Sequence, residues 1–186
     1  METWPRAHRL SVDEYYRMAE VGLLVPDARV ELIEGVIIDM PPIGSRHGWT
    51  VAQIVKRLNA TVGDTAEVFS QSALRLGRFS EPQPDVLLLQ PRGRAYRKAH
   101  PAASDVLLVI EVSDTTLRYD LERKAPLYAR HAVPEIWVID VNRDELHVFR
   151  DPQDGGYRDV AVPAAPGTMP LPIPGATLDL SDLWGD

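Results

Sequence analysis

A mixed α/β fold, with a central sheet flanked by helices, follows from three observations. The segments PQPDVLLLQP (82–91) and DVLLVIEVSD (105–114) are apolar on both faces, as strands in the interior of a sheet are. A polar loop joins them, so they are expected to pair antiparallel. After a helical segment comes EIWVIDV (135–141), again apolar on both faces. Strand, helix, strand in that order is a right-handed crossover, which makes the last pair parallel and the sheet mixed.

The other elements read in order along the chain. Ser11 and Glu14 have the capping-box spacing, opening a helix expected to run to about Leu24. RVELI (29–33) and VIIDM (36–40) flank Glu34-Gly35 as the arms of a tight hairpin, which Pro41-Pro42 ends. Ser45 is placed to cap a second helix, whose Val51, Ile54, Val55, Leu58 and Val62 share one face. EVFSQSALRLG (67–77) alternates like a strand. A helix is expected over 117–131, with Leu117, Leu121, Ala125, Tyr128 and Ala132 as its packed stripe. Pro126 interrupts it, because proline lacks an amide and disfavours helical geometry at Ala125. Either the helix kinks there or its regular part begins close to the proline. ELHVFRD (145–151) follows a turn at Asn142-Arg143-Asp144.

From Pro152 onward the chain carries six of its 16 prolines, which predicts extended or edge segments rather than another core element. No repeat or linker divides the sequence. Residues 1–186 are therefore expected to form one domain: an N-terminal helix and hairpin (1–44), a core (45–150) and a proline-rich extension (151–186).

Composition narrows the function. With no cysteine, disulfides and thiolate metal sites are excluded. No apolar run approaches the ~20 residues of a membrane helix, and the N-terminus lacks a signal-peptide pattern, so a cytoplasmic location is the default expectation. A net charge of −7 argues against a general nucleic-acid coat, but it leaves room for a localised groove. Only three of the 20 basic residues are lysines (Lys56, Lys98 and Lys124), so the position of each is informative.

The chemistry is concentrated in the two apolar strands. Asp85 opens the first and Glu111 lies near the end of the second, so antiparallel pairing brings start beside end and the carboxylates together. A charged group at the edge of a buried sheet is costly without a partner. Two of them side by side predict a hard divalent cation with oxygen ligands, Mg²⁺ or Mn²⁺. On the following helix Asp120 and Lys124 are one turn apart on the flank of the packed stripe, with Tyr128 continuing the row. Lys124 is thereby aimed at the end of the Glu111 strand.

Asp85, Glu111 and this lysine resemble the PD-(D/E)XK nuclease superfamily, and within it the Uma2 family of restriction-endonuclease-like proteins. The resemblance spans nearly the whole chain: VDEYYRMAE, RVELIEGVIIDMPP, Ser45 with His47, EPQPDV, LLVIEVSD, then Asp120, Lys124 and Tyr128, and VPEIWVID. It implies a restriction-endonuclease-like fold and a metal-dependent endonuclease acting on DNA, with RNA left open as a substrate. Asp85, Glu111 and the carbonyl of Val112 would hold the metal, and Lys124 would orient the attacking water. The chain departs from the superfamily at Ser113, where the usual lysine stands two residues after the acid; Lys124 would take over that role. A homodimer with one site for each strand of a duplex is consistent with such an activity.

Four further residues are auxiliary candidates: His47 in the first turn of its helix, Glu31 in the hairpin, Asp120 and Tyr128. Glu34, on the opposite face from Glu31 and beside Gly35, reads as a turn residue. Arg92, Arg94, Arg97 and Lys98 surround Tyr96 in the loop between the two acid-bearing strands and are candidates for gripping phosphate. They sit at the far end of that hairpin from the acids, so the loop would have to fold back or serve a distant part of a nucleic-acid backbone. Two rival readings keep the fold: an inert nucleic-acid-binding or protein-interaction module, and a phosphodiesterase for small molecules.

Overall fold

The computed structural model of the chain describes residues 5–25 and 28–185. A six-stranded mixed sheet forms its centre. In sheet order the strands are β3 (Glu67–Ser70), β4 (Val86–Leu89), β5 (Val106–Ser113), β6 (Glu135–Asp140), β7 (Glu145–Gln153) and β8 (Gly156–Ala161). All neighbours are antiparallel except β5 and β6, which run parallel through the helical crossover. The interior strands β4 and β6 are buried along their whole length, as sequences apolar on both faces require. Two small hairpins stand apart from the sheet: β1 (Val30–Ile33) with β2 (Val36–Asp39), and β9 (Thr168–Pro170) with β10 (Thr177–Asp179). Among the described residues no helix is long and apolar enough to cross a membrane.

Strand alternation divides the core in two. Val86, Leu88, Leu108, Ile110 and Val112 point to one face, where α2 (Ser45–Val62) covers them with Val51, Ile54, Leu58 and Val62. Leu87, Leu89, Val109, Ile136 and Val138 point to the other, under Ile33 of β1 and under Ala125, Leu127 and Tyr128 of α4 (Ala125–Arg130). Asp85 and Glu111 fall in this second alternation.

Several elements differ from the sequence expectation for identifiable reasons. The first helix, α1 (Val12–Glu20), has the Ser11–Glu14 capping box but ends four residues early. Gly22 takes a left-handed φ of +76°, and Leu23 and Gly22 donate back to the carbonyls of Met18 and Ala19, closing a Schellman-type end. Gly44, extended, is the N-cap of α2, and Ser45 is its first helical residue rather than its cap. β3 stops at Ser70 because Gln71 adopts φ +46°. The rest of the 67–77 segment pairs with its own return instead, Leu74 and Leu76 donating to the carbonyls of Pro82 and Ser80.

The 117–131 helix is built in three pieces: α3 (Leu117–Tyr119), a π turn (Asp120–Lys124) and α4. Pro126 has no amide to donate to the preceding turn, so the chain widens before it and regular α-helix starts with the proline in its first turn. Ala132, with φ +56°, lies past the helix end and leaves the packed stripe. The proline-rich tail forms the edge strand β8 and an extended hairpin, as expected, yet it also enters the core. Leu171, Leu178, Leu180 and Leu183 are buried in the cluster under α2.

Leu180→Ala is therefore expected to behave as a core truncation and lower stability by ~2–5 kcal/mol in urea unfolding. A loss below ~0.5 kcal/mol, the scale of a surface change, would return the tail to a mere appendage.

Candidate functional site

The register of β4 against β5 pairs Val86 with Ile110. Asp85 stands just before β4 and Glu111 just after Ile110, so their side chains leave the same end of the same sheet face. Both line a cavity of about 260 Å³. The next ladder pair in this register would join Pro84 to Val112. Proline has no N–H to give the Val112 carbonyl, so the ladder stops there. The Val112 N–H turns instead to Asp85 Oδ2, at 2.8 Å. Proline before the acid thus ends the strand pairing, leaves a backbone carbonyl without its ladder donor and pins the carboxylate next to it.

The other side chains come from elements packed around this strand end. Lys124 is buried, with 2% of its surface exposed, and donates to Glu31 Oε1 of β1 at 2.9 Å and to Glu111 Oε1 at 3.2 Å. The Tyr128 hydroxyl, one turn further along, donates to the same Glu111 oxygen at 2.6 Å. Glu31 Oε1 also accepts the Gln83 N–H at 3.2 Å, while Glu31 Oε2 is buried with no partner among the described residues. His47, in the first turn of α2, reaches Asp85 Oδ1 with its Nε2 at 2.9 Å. Asp120 does not bond Lys124. Its Oδ2 accepts from Ser113 and Thr116, both at 2.7 Å, so Ser113 anchors a neighbouring acid where the superfamily carries its lysine.

Electrostatics follow from burial and crowding. Burial pushes Glu111 up to about 8; Lys124 opposes the shift, and Asp120, Asp85 and Glu31 add to it. Burial also raises Asp120, against Lys124 and its two hydroxyl donors. Burial alone would draw Lys124 down, but Glu111, Glu31 and Asp120 hold it well above the usual lysine range. The surrounding acids thus hold the proton on Lys124 against burial, while burial outweighs the lysine at Glu111. The hydrogen bond that His47 gives to Asp85 raises its pKa above the ordinary value, against burial. Five carboxylates line the cavity (Glu31, Asp85, Glu111, Asp114 and Asp120) against Lys124, Arg29 and His47.

This donor set suits a hard divalent cation. Among the described residues no three His, Asp or Glu side chains are grouped to cage a metal ion. Mg²⁺ is commonly held by only one or two carboxylates, keeping several waters. Both hydrogen bonds to Glu111 end on Oε1, which leaves Oε2 without a donor among the described residues, and Asp85 and Val112 line the same cavity. The surplus negative charge and the unpartnered Glu31 oxygen point the same way.

The loop residues are not brought here. Arg92, Arg94, Arg97 and Lys98 flank or form a 3₁₀ turn (Gly93–Arg97) beyond the other ends of β4 and β5, and none lines the cavity. Four residues of strand separate the two ends, ~13 Å. The loop is tied down where it is, Arg92 by an ion pair with Asp105 and Tyr96 by a bond to the Gln90 carbonyl at 2.9 Å. The loop does not fold back to the acids, so a grip on phosphate from here would serve a more distant part of a backbone. Gln83 and Thr116 belong to the site and escaped the sequence reading. Gln83 was legible in principle, two residues before Asp85 on the same side of an extended chain.

Residues 12–181 match the family profile of Uma2, whose description is "Putative restriction endonuclease". No curated protein matches the chain. A solved structure described as "a putative nuclease belonging to DUF820 from Anabaena variabilis ATCC 29413" is 20% identical, covering 94% of this chain and 97% of its own, with a TM-score of 0.75. It is similar in fold across almost the whole chain.

Lys124→Met would strand Glu31, Glu111 and Asp120 without their buried cation. The expected loss in metal-free urea unfolding at pH 7 is ~3–5 kcal/mol. Carboxylates whose folded pKa lies above the unfolded value stabilise below the unfolded pKa and lose that contribution as pH rises through the folded one. The deficit should therefore shrink as the pH is lowered from 8 towards 5, and a pH-independent deficit would contradict the charge cluster.

Proposed function

Because the chain belongs to the Uma2 family, we propose that this cavity is the active site of a divalent-metal-dependent endonuclease hydrolysing DNA phosphodiester bonds. The observation that carries the reading is the convergence of Asp85 and Glu111 on one sheet face, with the buried ammonium of Lys124 3.2 Å from the second acid. Asp85, Glu111 and the Val112 carbonyl would hold Mg²⁺ or Mn²⁺. When bound, such a cation supplies charge neutralisation at the phosphate and acidifies its water.

The chain's own residues do the positioning. Tyr128 and Lys124 fix one oxygen of Glu111 and leave the other to the cavity. His47 and the Val112 amide hold the two oxygens of Asp85. Glu31 holds Lys124 from the side opposite Glu111, so the ammonium is oriented before substrate arrives. In this reading it then faces the attacking water and the charge that grows on the phosphate in the transition state, a role for a preorganised donor in a water-poor site. Asp120, held by Ser113 and Thr116, adds negative potential that keeps the lysine charged. Two copies related by a two-fold axis would offer one site to each strand of a duplex.

A second reading has its own observation. Lys124 is committed to two carboxylates, and a lysine that never leaves them would make the site a relic on a binding module. Incubating the wild type with plasmid DNA, RNA and a small phosphodiester in Mg²⁺ or Mn²⁺ separates the possibilities. Cleavage of DNA is expected, with Asp85→Asn and Glu111→Gln losing ~10²-fold or more in rate while remaining folded by circular dichroism. Turnover of the small diester alone would favour the phosphodiesterase reading, and no turnover of any substrate the binding module. Glu31→Gln is expected to keep cation binding, followed by calorimetry, while slowing cleavage ~10-fold through a loosened lysine. Unchanged cleavage would remove Glu31 from the positioning role.

A further inference from the structure

A second cavity, of about 180 Å³, lies between Arg9, the β1–β2 turn, the 77–80 turn and the end of α4, and shares no lining residue with the first. Its character is the opposite. The Arg9 and Arg78 guanidinium carbons sit 4.7 and 5.2 Å from the centre of the same Phe79 ring. One aromatic ring thus holds near it two like charges that would otherwise separate. Arg130 comes from the helix end and takes the carboxylate of Glu34 at 3.0 Å. Among the described residues Glu34 is the only acid in the lining. Arg9 reaches only its backbone carbonyl, at 2.7 Å. Among the described residues neither Arg9 nor Arg78 has a carboxylate partner.

The floor adds a buried donor. Ser80 is 3% exposed, and its oxygen accepts the Glu34 N–H at 2.8 Å, so its own hydroxyl proton remains to be given and has no acceptor among the described residues. The Arg9 wall is held rigidly. A Cβ on Gly35, at φ +82°, would stand 2.6 Å from the Arg9 Cβ, so only glycine lets the turn press against that backbone. His131 completes the lining; burial, then Arg130, hold its pKa below the ordinary value, so at pH 7 it offers a ring N–H without adding to the repulsion.

We propose that this cavity binds a phosphate group. The Arg9 and Arg78 guanidiniums and the Ser80 hydroxyl gather charged and neutral donors in one lining, which suits the several acceptor oxygens of a phosphate. The phosphate is either the terminal group of a nucleotide or an internal group of a nucleic-acid strand. The proposal stands on this cavity alone, whether or not the first one cleaves DNA.

The test is calorimetric titration of the full chain in EDTA, at constant ionic strength, with inorganic phosphate and with a short single-stranded DNA carrying either a 5′-phosphate or a 5′-hydroxyl. Saturable phosphate binding is expected. It should weaken about tenfold in Arg78→Ala and in Arg9→Ala, exposed positions whose truncation leaves the core intact, and stay unchanged in Arg118→Ala, an exposed arginine paired with Glu122 outside this cavity. Tighter binding of the 5′-phosphorylated strand would identify a terminal phosphate, and equal affinity an internal one, provided each is lost with Arg78. Phosphate binding that is absent, or equal in wild type and Arg78→Ala, would overturn the site.

Discussion

The ammonium of Lys124, enclosed between Glu31 and Glu111, is the constraint around which the rest of the molecule is arranged. A lysine buried to 2% exposure is tolerable only with close anionic partners, and these arrive from a hairpin 93 positions away in sequence and from a central strand 13 positions away. Each partner depends on the other two. Without the lysine, Glu31 and Glu111 repel across an apolar layer; without Glu31, the ammonium is free to swing away from the acid pair. The hairpin of β1 and β2, outside the main sheet, is docked through this ion pair as well as through Ile33.

Proline governs the geometry twice. Pro84 ends the β4–β5 ladder one residue before Asp85, so that the Val112 amide, which pairing would have consumed, meets the Asp85 carboxylate instead. Pro126 forces the π turn that precedes α4. That turn carries Asp120 and Lys124, and the extra residue in the turn rotates both inward, where each is at most 3% exposed. A straight α-helix would have left Lys124 on the flank of its packed stripe. In both places a missing N–H disturbs regular structure, and the disturbance aims a functional group.

Charge is segregated along the same layer. One cavity collects five carboxylates and the other three arginines, at opposite ends of the short strand β1. A net charge of −7 conceals this division, because it averages an acid-rich cavity with an arginine-rich one. Composition argued against a broad basic surface, and it carried no information about a local one. The arginine-rich 91–100 loop, the most basic stretch to the eye, is tied to Asp105 and Gln90 and faces neither cavity.

Periodicity and local chemistry by themselves determined most of the architecture. The apolar runs at 86–89, 106–112 and 135–140 required interior strands, the crossover between the last two required a parallel pair, and antiparallel β4 and β5 required Asp85 beside Glu111. These follow from the sequence because hydrophobic burial and strand alternation act over a few residues. The short β3, the early end of α1, the core role of Leu171, Leu178, Leu180 and Leu183, and the rotation of Lys124 to full burial were decided only by tertiary structure. Each depends on a backbone turn or on a surface supplied by a distant segment. The pairing of Glu31 with Lys124 is the clearest case. An alternating strand restricts Glu31 to one of two faces, but only the docking of the hairpin over α4 makes that face the one where a buried cation waits.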